Sequence, residues 1–206
     1  MSYVFFAAVW ERGVYLVADK RMCKKENGRY IPVSDDVQKI GRINDKLIMG
    51  WVGAMQKTTP IFRLIKEISD MGVIYPDEMT SNIVGNSWDK QIFKDRMQMA
   101  ILGMMQNGAP GVSIIDGYNK DNILTWTTSL DSPCWYYSLG TGTEVEHDEF
   151  ERDIREILTN RQSETFEQDL FTRVDTHIVR VSEAHIVVGP TVDHLSITWN
   201  HGKGSL

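Results

Sequence analysis

The chain has two cysteines, Cys23 and Cys134, in 206 residues, without the close spacing of a redox or zinc motif. That excludes a disulfide-stapled scaffold and suits a reducing compartment. Basic charge is also scarce, with 22 Lys and Arg against 28 Asp and Glu and a formal net charge of −6. A nucleic-acid or anionic-membrane binder needs a basic field, and the short Lys24-Lys25 pair reads as solvated loop. No apolar run approaches the roughly 18 residues of a membrane-spanning helix. The opening "SYVFFAAVW" is as apolar as a signal-peptide core. It lacks a basic stretch before it and a small-residue cleavage site after it. The expectation is a cytoplasmic, soluble protein that binds neither nucleic acid nor membrane.

Catalytic signatures are missing as well. There is no Walker loop, GxGxxG, HExxH or GxSxG. The five histidines, His147, His177, His185, His194 and His201, have no metal-ligand spacing. His177 and His185 fall near the end of a helical pattern and read as structural. No metal or cofactor is expected. The acidic run "EVEHDEFERD" reads as a solvated helix start, with carboxylates at the positive end of the dipole. Tyr136, Tyr137 and the scattered tryptophans read as core.

What is present is a normal folding composition, 42% hydrophobic and 24% charged, with no internal repeat or linker. One domain over 1–206 is expected. Val4 to Trp10 and Val14 to Ala18 read as strands joined by Glu11-Arg12-Gly13, with Gly13 free to take positive φ. Both are apolar on both faces, the pattern of a sheet covered on each side. Arg21 to Ser34 reads as a loop or loose hairpin. Val37 to Ile43 and Lys46 to Val52 read as a strand pair turning at Asn44-Asp45-Lys46. A helix is expected from Thr58 or Thr59 as N-cap and Pro60 as first residue, through Ile61, Leu64, Ile65 and Ile68 to Gly72. A second helical region is expected within Ser87 to Met105. Val112 to Ile115, Ile123 to Thr128 and Cys134 to Leu139 read as strands. Glu149 to Leu158 and Thr165 to Val181 read as helices, and Ile186 to Val188 and Val192 to Trp199 as closing strands. Such segregated runs predict two stacked sheets flanked by helices, not βαβ alternation.

Four positions carry possible chemistry. Asp19 ends an apolar strand, where a carboxylate either caps a loop or serves a site. Lys39 lies in a strand expected to be buried, where it either snorkels from a sheet edge or pairs with an aspartate and tunes a nearby amine. Gly53 follows a strand and precedes a helix, as a turn or as an exposed N–H that binds an oxyanion. Ser2 taken alone is an ordinary second residue.

Taken in order, "GVYLVADKR", "VQKIGRINDKLIMGWVGAM", a helix and then "YSLGTG" resemble a proteasome β-type subunit of the N-terminal nucleophile hydrolase superfamily. The motif likeness covers the first third of the chain and is architectural beyond it, apart from "SLGTG" and "VVGP". The "MSY" start and the late "VGP" are similar to the bacterial ancestral β-subunit branch, Anbu. The resemblance implies an α+β fold, the four-layer αββα sandwich. It implies a self-compartmentalising peptidase acting on peptide or unfolded-protein substrates, assembled as a homo-oligomeric ring or spiral that an unfoldase ATPase can serve. The terminal hydroxyl attacks a peptide carbonyl and the same residue's α-amine takes the proton. An α-amine has an ordinary pKa of about 7.7–8.0, so a modest downward shift makes it a base at neutral pH.

The resemblance assigns the nucleophile to Ser2, exposed by removal of Met1. It assigns the assisting lysine to Lys39, the aspartate that holds it to Asp19 and the oxyanion N–H to Gly53. Thr141 matches a family serine that contacts the terminal amine. Two departures stand out. Serine replaces threonine and lacks the methyl group that restricts the rotamer. The family's aspartate and serine before a late glycine pair are replaced by "VSEAHIVVGPTVD", where Ser182 or Glu183 is the substitute. Two other readings remain: a catalytically silent assembly protein that keeps the sandwich, and an amidase or transpeptidase with a narrow amide substrate.

Overall fold

The computed structural model describes residues 2–53, 65, 67–72, 75–85, 97–118, 123–141 and 147–199. β1 (Tyr3–Val9) and β2 (Gly13–Asp19) are buried at every position. Odd-numbered residues of β1 and β2 face one core, with Tyr3, Phe5, Tyr15 and Val17 packed on Phe150, Ile154, Phe166, Leu170, Val174 and Ile178. Even-numbered residues face another, with Val4, Phe6, Leu16 and Ala18 packed on Ile40, Ile48, Ala100, Leu102 and Val112. That is why neither strand alternates apolar and polar residues.

β3 (Met22–Glu26) and β4 (Arg29–Ser34) form a separate two-stranded hairpin. Its turn is Asn27-Gly28, both at positive φ, the mirror-image turn that suits the twist of a hairpin. β5 (Ile40–Asn44) and β6 (Leu47–Val52) turn at Asn44-Asp45-Lys46, where the Lys46 N–H donates to Asn44 Oδ1 at 2.8 Å. Then come α1 (Pro76–Gly85), β7 (Gln98–Met104), β8 (Pro110–Asp116), β9 (Ile123–Thr127) and β10 (Cys134–Gly140). α2 (His147–Thr159), α3 (Phe166–Ala184) and β11 (Val192–Thr198) close the chain.

Both larger sheets are antiparallel. One has the order β10-β1-β2-β11 and the other β5-β6-β7-β8-β9. α2 and α3 cover the first sheet. The far face of the second, with Met49, Trp51, Met99 and Ile101, packs on Ile65, Ile68 and, from α1, Met79 and Ile83. The result is the four-layer αββα arrangement expected from the sequence.

Several local expectations are corrected. Within Ser87 to Met105 the described residues hold β7, the middle strand of five, not a helix. Residues 87–96, with Trp88, Ile92 and Phe93, lie outside the described residues. A short apolar run such as "QMAILGM" suits a buried strand as well as a buried helix, and here both faces of the strand are covered. α1 was not foreseen, although Pro76 with Asp77 and Glu78 is a favourable helix start. Ile186 to Val188 forms a turn rather than a strand, closed by the Val188 N–H donating to the His185 carbonyl at 3.0 Å.

The expected helix from Thr58 has its start outside the described residues. Residues 67–70 are helical and stop at Gly72, with φ of 89°. Tyr137, expected in the core, is exposed on β10. His177 is buried and stacks on Phe150 with centroids 3.9 Å apart, with Tyr3 edge-on to it. Among the described residues no helix is long and apolar enough to cross a membrane.

Candidate active site

The β1–β2 hairpin has an open end where Ser2 and Asp19 lie. Ser2 is buried immediately before β1. Its carbonyl accepts the Thr141 N–H at 2.9 Å, which continues the β1–β10 ladder by one residue. Gly140 lies between them at φ 101°, and a Cβ there would stand 1.8 Å from the Ser2 carbonyl oxygen. Only glycine fits that approach.

Asp19 ends β2 fully buried and collects four donors. Its Oδ1 accepts the Tyr3 N–H at 2.7 Å. Its Oδ2 accepts the Arg21 N–H at 3.0 Å, the Gly189 N–H at 3.0 Å and Lys39 Nζ at 2.7 Å. The Lys39 side chain is 1% exposed and the Asp19 side chain 0%. Of the readings open for these two residues, the capped loop and the buried pair are both realised, and the snorkelling lysine is not. Burial pushes the Lys39 amine below its ordinary pKa, against the opposing pull of Asp19.

Lys39 sits just ahead of β5, which begins at Ile40 and not at Val37 as the sequence suggests. Its carbonyl still accepts the Trp51 N–H at 3.1 Å, so β6 fixes its height. Gly53 is the first residue past β6, at φ 129°, with Met97 against the position a Cβ would take. Its neighbour Val52 reaches within 3.2 Å of the Cβ position of Gly140, which brings this strand end to the Ser2 end of the hairpin.

Ser182 is not drawn into this cluster. It lies on α3, and its hydroxyl donates to the Val179 carbonyl at 2.6 Å within the same helix. The late segment reaches Asp19 by the main chain instead, through Gly189. The sequence carries a trace of this glycine in "VVGP" but no sign of its partner.

Arg21 was also missed as a functional candidate. Its guanidinium grips Asp35 with two bonds, 2.6 Å from Nε and 2.9 Å from Nη2. Nη1 donates to the Ile186 carbonyl at 3.2 Å and the Val188 carbonyl at 3.1 Å. This pairing holds the Asp35 carboxyl below its usual range. Cys23 lies nearby, with Sγ 3.7 Å from the Ile186 carbonyl, and burial raises its thiol. Among the described residues no His, Cys, Asp and Glu cluster is arranged to hold a metal ion.

This hairpin end, with a buried Asp–Lys pair beneath a buried serine, sits in a fold shared with solved structures. Eukaryotic HslV from Trypanosoma brucei superposes with a TM-score of 0.60 at 14% identity, covering 94% of this chain and 98% of that one. Anbu, the ancestral β-subunit from Yersinia bercovieri, superposes with a TM-score of 0.59 at 12% identity, covering 95% of this chain and 80% of that one. No family model matches the sequence, and no curated protein does. The chain therefore has the proteasome-type αββα fold that its first third resembles, at a sequence distance where the likeness speaks for the fold alone.

Proposed function

We propose that this protein is a self-compartmentalising peptidase with Ser2 as its N-terminal nucleophile once Met1 is removed. The observation that carries this reading is the convergence of Tyr3, Arg21, Gly189 and Lys39 donors on Asp19, next to a buried serine at the chain's start. Ser2 Oγ attacks the substrate carbonyl carbon and passes its proton to the Ser2 α-amine. The tetrahedral oxyanion is met by the Gly53 N–H. The C–N bond then breaks, and the leaving amine takes the proton back. Water hydrolyses the Ser2 ester and restores both groups. Lys39, with its amine pushed down by burial, assists the proton transfer and biases the terminal amine toward its neutral form. Asp19 anchors Lys39, and Thr141 stands where it can orient Ser2.

The substrates proposed are peptides or unfolded proteins, and the working form a cytoplasmic homo-oligomeric ring or spiral fed by an unfoldase ATPase. One domain carries the whole site. Intact mass and a peptide-hydrolysis assay test the nucleophile. A mature chain without Met1 whose activity falls at least about 1,000-fold in Ser2→Ala supports it. Equal cleavage by wild type and Ser2→Ala rejects it.

The engagement of Ser182 within α3 favours one alternative, a silent assembly protein that has no late side chain at the site. Intact oligomers whose demethionylated Ser2 resists electrophilic acylation support that reading. An amidase or transpeptidase would show ligation over hydrolysis in a peptide library.

A further inference from the structure

Arg21 joins three chain segments that come together around the Asp19–Lys39 pair. The first is its own turn after β2, where its N–H donates to Asp19 Oδ2. The second is the stretch from Asp35 to Lys39, gripped at Asp35 by the two-bond fork. The third is the turn after α3, whose Ile186 and Val188 carbonyls both accept from Nη1. That turn delivers the Gly189 N–H to Asp19 Oδ2. A Cβ at Gly189 would stand 2.7 Å from Arg21 Cβ and 3.1 Å from Asp35 Oδ1, so the turn is pressed onto the clamp. Two more bonds run the same way, Val37 N–H to the Lys20 carbonyl at 3.0 Å and Thr191 Oγ1 to the Asp35 carbonyl at 2.8 Å.

We infer that the Arg21–Asp35 clamp is the positioning device of the site. It seats the Gly189 N–H and the Lys39 amine on the same carboxylate oxygen, where the late segment contributes a main-chain donor. Guanidinium chemistry suits the task. A planar fork meets a carboxylate with two parallel bonds and still has a free N–H edge for carbonyls, which an ammonium cannot do in fixed geometry. Asp35 is 41% exposed and Arg21 16%, so the clamp lies at the rim while the pair it orders is buried. Lysine at position 21 therefore keeps the charge and loses the function.

The inference rests on the proposed catalytic reading only for its kinetic consequence, and the experiment separates the two. Full-length wild type, Arg21→Lys, Arg21→Met and Asp35→Asn are compared by amide exchange at Gly189 and Tyr3 and by NMR titration of the Lys39 Cε. Ser2 acylation by a peptidyl electrophile is followed against pH on demethionylated protein. Gly189 exchange is expected to quicken at least about tenfold in all three variants, while mid-strand amides of β1 stay protected. The Lys39 titration is expected to move toward its ordinary value as water reaches the pair. Acylation is expected to fall about 100-fold, with its pH profile displaced in step with Lys39. Asp35→Asn, altered at an exposed carboxylate, reads the clamp even if an Arg21 variant folds poorly. Variants that lose thermal stability with Gly189 exchange and the Lys39 titration unchanged reduce the clamp to scaffolding and overturn the inference. Shifts in both with no Ser2 acylation in any chain, wild type included, uphold the clamp and sink the catalytic reading.

Discussion

The two ends of the β1–β2 hairpin solve opposite problems. At the turn end the chain reverses in three residues, Glu11 at φ 63° and Gly13 at φ 138°, and the charges lie outside. Arg12 reaches over the Phe166 ring, 5.2 Å from its centroid, and donates to the Ser163 carbonyl at 2.8 Å. Its own carbonyl accepts the Trp199 N–H. At the open end the charges lie inside, and three backbone N–H groups and a lysine gather on Asp19. One end is held by backbone geometry and the other by a buried ion pair. The hairpin can tolerate a charged cluster at the open end because every acceptor there has a donor, and an unsatisfied one would cost about 1–3 kcal/mol.

The sharpest way to break this comparison is at the open end. Lys39→Met removes the only side-chain donor to Asp19 recorded among the described residues and leaves a buried carboxylate without its paired ammonium. Losing one partner of a buried pair costs about 3–5 kcal/mol. At this chain length that lowers the melting temperature by roughly 10 °C. Calorimetry checks it. Adding Asp19→Asn should recover part of the loss, because the neutral amide still accepts the Tyr3 N–H. If Lys39→Met melts with wild type, the pair contributes nothing to the hairpin's stability.

The turn end should yield less. Gly13→Ala puts a Cβ 1.9 Å from the Ile197 carbonyl oxygen at a φ that alanine avoids. β11 must shift, at a cost of about 2–3 kcal/mol. Denaturant unfolding measures this directly. The substitution should leave Ser2 acylation within about twofold, since additivity holds for sites this far apart. A larger kinetic loss would mean that the two ends are coupled along the strands.

The same contrast explains how much was legible in the sequence. Strands β1 and β2, the turn at Gly13, the placement of Asp19 and the four-layer order follow from apolar runs and punctuation, which are local. The open end follows from contacts such as Gly189 to Asp19, across 170 residues, made by a main-chain donor that every residue but proline possesses. Side-chain identity therefore pointed to Ser182, while the fold uses the backbone beyond it. Lys39 was found because a lysine in an apolar stretch is conspicuous. Arg21 was overlooked because an arginine after a strand end looks like solvated surface. β7 was misread because "QMAILGM" has no polar residue after Gln98 to reveal a period of two.

Burial favours the neutral forms of Lys39 at the open end and of Tyr15 toward the turn end, and these two respond to pH in opposite directions. Lys39 is pushed below 10.5 in the fold, so the unfolded chain binds its proton more readily. Its contribution to stability grows as pH rises toward 10.5. Tyr15, stacked edge-on against Phe166 near Arg12, is pushed up to about 12 by burial, with Glu167 adding to the shift. The unfolded tyrosine loses its proton near 10.0, so Tyr15 stabilises fully below that value and its contribution is lost as pH rises through about 12. Tyr15→Phe removes a buried hydroxyl close to Arg12 and should change stability by no more than about 1 kcal/mol at pH 7. The same variant should unfold less steeply between pH 10 and 12 than wild type. Urea midpoints across that window decide it. Parallel curves for the two proteins would move the alkaline sensitivity to the other buried phenol, Tyr3, raised by its own burial at the open end, and the turn end would then carry no titrating group of consequence.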